Sequence, residues 1–127
     1  MTDSSPRSTS NDGLPFSIRN VAAQDGAIRV EVRGELDIAT APQLNASLLR
    51  ELLAGLNVEL DLSRVGFMDA CALGTIIGAR KRFERRKKSF LVLLQPSSQP
   101  HRLLTLTGIL PMLMVRDDAA AAPSDRD

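Results

Sequence analysis

The chain contains few of the residue types on which catalytic, metal-binding and base-stacking sites depend. Its 127 residues include no Trp, no Tyr, four Phe, one Cys and one His. Proteins that stack nucleic-acid bases need exposed aromatic faces, so this composition argues against direct nucleic-acid binding. One cysteine excludes an intrachain disulfide, and no CxxC pair or second histidine indicates a metal site.

The signatures of the common enzyme classes are also missing. The sequence has no P-loop, no G-x-G-x-x-G and no G-x-S-x-G segment. A Ser-His-Asp arrangement would need His101, which lies in a predicted helix and is more simply explained as a surface residue. We therefore predict that the protein is not an enzyme and uses neither a cofactor nor a metal.

Long hydrophobic runs are absent as well. No segment approaches the ~18 apolar residues of a membrane-spanning helix. No charged segment followed by an apolar run opens the chain, so nothing indicates a secretory signal. We expect a cytoplasmic protein with no membrane span.

Composition divides the chain into one domain and two tails. Residues 1–13 are rich in Ser, Thr, Asn, Asp, Pro and Gly, which cannot bury an apolar face, so we predict a disordered tail. Residues 14–116 form one domain, large enough to bury a core without disulfides or metals. Residues 117–127 are predicted to be a flexible tail.

The hydrophobic pattern predicts alternating strands and helices. Two strands over 16–21 and 27–34 form a hairpin around Asp25-Gly26. A helix capped by Thr40 and ended by Gly55 follows. Its predicted apolar stripe comprises Leu44, Leu48, Leu49, Leu52, Leu53 and Leu56.

Three more strands are predicted, over 58–65, 89–95 and 112–117. They alternate with a helix from Cys71 and a helix capped by Ser97 or Ser98 and ended by Gly108. The order ββαβαβαβ predicts an α/β fold, with a mixed sheet of about four to five strands covered by three to four helices.

Two separated motifs resemble those of the STAS domain, specifically the bacterial anti-sigma factor antagonists. The first motif is G-x-L-D-x-x-x-A/S, found here as Gly34, Leu36, Asp37 and Ala41. The second is D-L-S-x-V-x-F-[ML]-D-S-[ST]-G-L-G, and residues 61–74 here have the sequence DLSRVGFMDACALG. The resemblance covers residues 14–116 and implies the STAS fold.

The resemblance also implies a function in partner switching. Such an antagonist binds an anti-sigma factor, a kinase-like, ATP-binding protein, and thereby frees a sigma factor. Phosphorylation of the serine that follows the motif's Asp controls this binding. Here that position is Ala70, which has no hydroxyl group, so we predict a constitutive antagonist or one regulated through Cys71. We expect a monomer or a weak homodimer.

The candidate partner-binding residues follow from the same motifs. They are Asp37, Ser63, Asp69, Ala70, Cys71, Leu73 and Gly74, of which Leu73 is expected to lie partly in the core. Asp69 is suited both to capping a helix and to contacting a partner. Asp37 is equally compatible with a partner contact and with a structural role in a loop.

Two alternatives remain open for Cys71. The helix dipole favours a thiolate in the first turn, whereas the negative charge of the neighbouring Asp69 disfavours it. A redox switch is one interpretation. The other, more common for cysteine, is a small buried and inert side chain.

Residues 80–88, RKRFERRKK, contain seven basic residues and one acidic residue. A solvated helix end is the simplest explanation, because cations favour the C-terminal end of a helix dipole. A docking patch for an acidic partner is the second, and binding to nucleic acid or anionic lipid the third.

Two other functions are compatible with a STAS domain. One is a subunit of an ABC-type lipid-transport complex, and the other is a scaffold module of a large signalling assembly.

Overall fold

The computed structural model describes residues 15–117, so the predicted tails, apart from Asp117, lie outside the described residues. The helices and strands are β1 Ser17–Ala22, β2 Ile28–Leu36, α1 Ala41–Leu53, β3 Val58–Met68, α2 Ala70–Arg85, β4 Phe90–Leu94, α3 Gln99–Leu106 and β5 Met114–Asp117. Short 3-10 turns cover Gln24–Gly26 and Leu110–Met112.

The strands form one five-stranded sheet in the order β1-β2-β3-β4-β5. β1 and β2 are antiparallel, and the remaining neighbours are parallel. The prediction of a mixed sheet of four to five strands with three to four helices is therefore confirmed. The predicted hairpin is confirmed as well, since Asp25 and Gly26 have φ of 59° and 79° at its turn.

The core lies between the sheet and the helices α1 and α2. Val30, Leu60 and Val92 are aligned across β2, β3 and β4 and are fully buried. α1 contributes Leu44, Leu48 and Leu52, and α2 contributes Leu73, Ile76 and Phe83. Full burial of such a side chain stabilises the fold by about 1.5–3 kcal/mol, so this apolar layer is the main source of stability.

The predicted apolar stripe of α1 is too wide. Leu44, Leu48 and Leu52 recur every fourth residue and face the sheet, whereas Leu49 is 36% exposed and Leu53 is 62% exposed. Each of these two follows a buried leucine by one position, which turns it about 100° around the helix and toward solvent.

α3 completes the edge of β3 where β4 does not reach it. β4 pairs with β3 only through Val58–Asp61, so the later residues of β3 lack a strand on that side. At the end of β3, the side-chain amide of Gln99 accepts a hydrogen bond from the Met68 N–H at 2.8 Å and donates one to the Met68 C=O at 3.0 Å. Because buried backbone groups need partners, Gln99 fixes the place where β3 ends.

Gly34 allows β1 to approach β2 closely. Its φ is +90°, and a Cβ built on it would lie 2.9 Å from the Phe16 Cα and 3.1 Å from the Pro15 carbonyl carbon. We predict that Gly34→Ala lowers the free energy of unfolding by about 2–4 kcal/mol, because it adds backbone strain and overpacking. Urea unfolding followed by circular dichroism measures this change.

The matched control is Gly74→Ala, since nothing lies within 4 Å of a Cβ built on Gly74 in α2. Alanine favours a helix, so this variant is expected to be more stable than the wild type by about 0.5–1 kcal/mol. Equal stability of the two variants would contradict the assigned close approach.

Candidate partner-binding site

The candidate site lies where β2 and β3 end side by side. The two strands are parallel, and Leu36 at the end of β2 is paired with Met68 at the end of β3. The loop of residues 37–40 and the first turn of α2 therefore leave the same edge of the sheet. In open α/β sheets this carboxyl edge is where ligands usually bind.

Asp69 joins the loop to the helix. Its Oδ1 accepts from the Ala72 N–H at 3.0 Å and caps α2, while its Oδ2 accepts from the Ile38 N–H at 3.2 Å. Its own N–H donates to the Leu36 C=O at 3.0 Å. One residue thus holds the end of β2, the loop and the start of α2 in fixed relative positions.

Asp37 organises the loop from within. Its Oδ1 accepts from the Ala39 and Thr40 N–H groups at 3.0 and 3.1 Å. Thr40 is the N-cap residue of α1 as predicted, but its side chain makes no cap hydrogen bond. Its hydroxyl instead donates to the Glu35 C=O at 3.0 Å and accepts from the Asp37 N–H at 2.9 Å. The structural role of Asp37 is therefore established, and a partner contact by Asp37 remains a prediction.

Five uncharged, exposed residues from the loop, the end of β3 and the start of α2 are called here the loop–helix surface: Ile38, Phe67, Ala70, Cys71 and Gly74. Ile38 is 72% exposed and Phe67 is 42% exposed, although large apolar side chains are usually buried. Sequence analysis did not select either of these two as a site residue. Both are large apolar residue types, which sequence patterns assign to the core.

The structure places the remaining candidates apart from this surface. Leu73 is 7% exposed and belongs to the core. The Ser63 hydroxyl donates to Asp61 Oδ1 at 2.6 Å within β3. Ser63 precedes Asp69 by six positions, so at the usual rise of a strand they lie about 20 Å apart.

Cys71 is exposed in the first turn of α2, so the interpretation of its side chain as buried is wrong, and its inertness stays a prediction. A role in redox regulation remains a prediction. Across residues 15–117, no three His, Cys, Asp or Glu side chains are grouped in a way that could hold a metal ion. None of the helices in that range is long and apolar enough to cross a membrane.

Both the sequence and the structure of this chain are similar to those of known proteins. The sequence model of the STAS domain covers residues 19–122. The chain belongs to the STAS domain family. The anti-sigma-B factor antagonist of Listeria monocytogenes is 33% identical over 91 residues, which are 71% of this chain and 79% of that protein.

Solved structures share the fold of this STAS domain. A putative anti-sigma factor antagonist from Thermotoga maritima has a TM-score of 0.72 and 23% identity, over 85% of this chain and 92% of that one. The Bacillus cell fate determinant SpoIIAA in its phosphorylated form has a TM-score of 0.64 and 20% identity, over 87% of this chain and 98% of that one. These two likenesses show that the chain has the same fold as those proteins.

The double role of Asp69 in this STAS domain is testable. We predict that Asp69→Ala lowers the free energy of unfolding by about 2–3 kcal/mol, since it removes a helix cap and a loop hydrogen bond. Asp69→Asn keeps a capping oxygen but places an NH2 group, which cannot accept a hydrogen bond, opposite the Ile38 N–H. This variant should therefore lower the free energy of unfolding by about 1 kcal/mol. Urea unfolding measures both values.

Amide hydrogen exchange separates the two contacts within one molecule. In Asp69→Asn, the Ile38 N–H should exchange faster, while the Ala72 N–H keeps its protection as the internal control. Unchanged exchange at Ile38 would show that Asp69 does not hold the loop.

Proposed function

We propose that this STAS domain is an anti-sigma factor antagonist that binds its anti-sigma factor through the loop–helix surface and is not switched off by phosphorylation at residue 70. The observation that carries the proposal is the exposed methyl group of Ala70 at the first position of α2. Relatives named anti-sigma-B factor antagonist support the general function.

The position of Ala70 decides how a phosphate would act there. The first turn of a helix stabilises an anion through free N–H groups and the helix dipole. A phosphate adds about −1.5 to −2 charges at neutral pH, which repels a partner surface that fits a neutral side chain. Alanine keeps the position small and neutral.

No nearby hydroxyl group takes the place of the missing serine. The next hydroxyl in α2 belongs to Thr75, which is partly buried and donates to the Cys71 C=O at 3.3 Å. Thr75 also lies more than one helical turn beyond Ala70. Control by a Ser/Thr kinase at the start of α2 is therefore not expected.

Ile38 supplies the apolar part of the proposed interface. Asp69 and Asp37 fix the backbone on both sides of it, so little conformational freedom is lost on binding. Burial of an isoleucine side chain contributes about 1.5–3 kcal/mol. A rigid apolar residue beside a neutral helix start is a surface that suits a protein partner.

Affinity capture from the native cytosol tests the general function. The wild-type chain should recover an ATP-binding, kinase-like anti-sigma factor, and Ile38→Asp should reduce recovery about tenfold or more, because it buries an unpaired charge. Leu106→Ser is the matched control, since Leu106 is 84% exposed on α3. Recovery of a transporter ATPase, or of one large assembly, would instead favour the other STAS functions.

Residue 70 is tested with purified anti-sigma factor. Ala70→Asp should weaken binding by roughly 10- to 100-fold, as a like-charge or desolvated carboxylate costs several kcal/mol at an interface. Ala70→Ser should bind as the wild type does and, with kinase and ATP, gain one phosphate in intact mass. A phosphate mapped to residues 69–75 of the wild type contradicts the proposal.

Cys71 offers an alternative control point on the same surface. Oxidised glutathione would form a mixed disulfide at its Sγ and release one reduced glutathione. This bulky charged adduct should lower affinity for the anti-sigma factor about tenfold or more, whereas Cys71→Ser should be unaffected by the reagent. Undiminished binding of the glutathionylated wild type would place Cys71 outside the interface.

A further inference from the structure

A strongly basic surface lies at the end of α2 opposite to the loop–helix surface. Four exposed cations cluster there, and we call them the basic tip: Lys81, Arg85, Arg86 and Lys87. No side chain of these four makes a hydrogen bond or ion pair with another residue of the range 15–117. Internal pairing therefore does not explain their charges.

Two other cations of residues 80–88 make side-chain hydrogen bonds within the domain. Arg80 Nη1 donates to Glu84 Oε1 at 2.9 Å, and Arg82 Nη2 donates to Asn45 Oδ1 at 2.7 Å, which ties α2 to α1. The one acidic residue of the run, Glu84, is thus already paired. The basic tip keeps its full positive charge.

The end of α2 has a lysine where the other helices have glycine. Lys87 has φ of +58°, while Gly55 after α1 and Gly108 after α3 have φ of +80° and +75°. The Lys87 and Lys88 N–H groups donate to the Glu84 and Phe83 C=O groups at 3.0 and 2.9 Å, which is the usual glycine-ended stop of a helix. A lysine is strained in this conformation, so helix termination does not account for the choice of a cation.

A small groove with an apolar floor borders the basic tip. Its volume is about 190 Å³, and Arg80, Glu84, Lys88, Ser89, Phe90 and Met112 line it. Met112 is 48% exposed, so an incoming apolar side chain has a surface to cover. Arg80 is paired with Glu84 at this groove, so Lys88 places the unpaired positive charge at the rim.

We propose that the basic tip and this groove form a second docking surface, which takes an acidic polypeptide segment that carries an apolar anchor residue. Opposite charge steers such a partner and raises its association rate. The rings nearest the tip, Phe83 and Phe90, are buried, so none is presented for stacking on nucleic-acid bases.

This surface is independent of the proposed anti-sigma factor interface. Arg85 lies 15 residues beyond Ala70 along α2, which at 1.5 Å per residue is about 22 Å.

The test uses the full chain and a labelled synthetic peptide of glutamates and aspartates with interspersed leucines. The peptide should bind, and the triple variant Lys81→Gln, Arg85→Gln, Arg86→Gln should lower its affinity about tenfold or more. The control variant Arg33→Gln, Arg50→Gln, Arg116→Gln removes the same charge from exposed positions elsewhere and should lower affinity less than about twofold. Met112→Ser should weaken binding of this peptide but not of a version with serines in place of the leucines.

Unchanged thermal unfolding of the triple variant shows that the fold is retained. No binding of the peptide, or an equal loss in both triple variants, overturns the proposal. Tighter binding to phosphatidylserine vesicles or to a short DNA duplex than to the peptide overturns the assignment of an acidic polypeptide.

Discussion

The carboxylate of Asp69 is the interaction on which the rest of the proposed surface depends. With one oxygen it caps α2, and with the other it holds the Ile38 N–H of a loop that is 31 residues away in sequence. Loss of this bridge would separate the helix start from the loop. The bridge explains how Ile38, an exposed aliphatic residue, is held in one place without burial of its side chain.

The parallel pairing of β2 and β3 brings these groups together. Register shifts between Glu31 and Arg33, and between Gly34 and Glu35, end in the alignment of Leu36 with Met68. Bulges of this kind re-aim the residues that follow them and often lie beside functional sites. Gln99 holds the end of β3 from the other side, so α2 begins from a fixed point.

Apolar patterning predicted the strands and helices of this protein, because most elements have an apolar face at a regular spacing and β4 is a short continuous apolar run. It did not predict the contacts that build the site. The hydrogen bond of Ile38 with Asp69, and that of Gln99 with Met68, join distant segments and have no period. The exposure of Phe67 depends on which residues pack over the end of β3. The pattern of a single sequence carries no information about such contacts between distant segments. The motif resemblance, in contrast, located Asp69 directly.

The central claim is that a fixed, uncharged loop–helix surface binds the anti-sigma factor. Backbone amide chemical shifts of the 15N-labelled full chain, recorded with and without the anti-sigma factor, test it most directly. The account predicts the largest changes at Ile38, Phe67 and residues 70–74, on wild-type protein with no phosphate at residue 70. Chemical-shift changes confined to α3, or to Arg29 and Glu59 on β2 and β3, would contradict it if the shifts of Ile38 and Ala70 stayed unchanged.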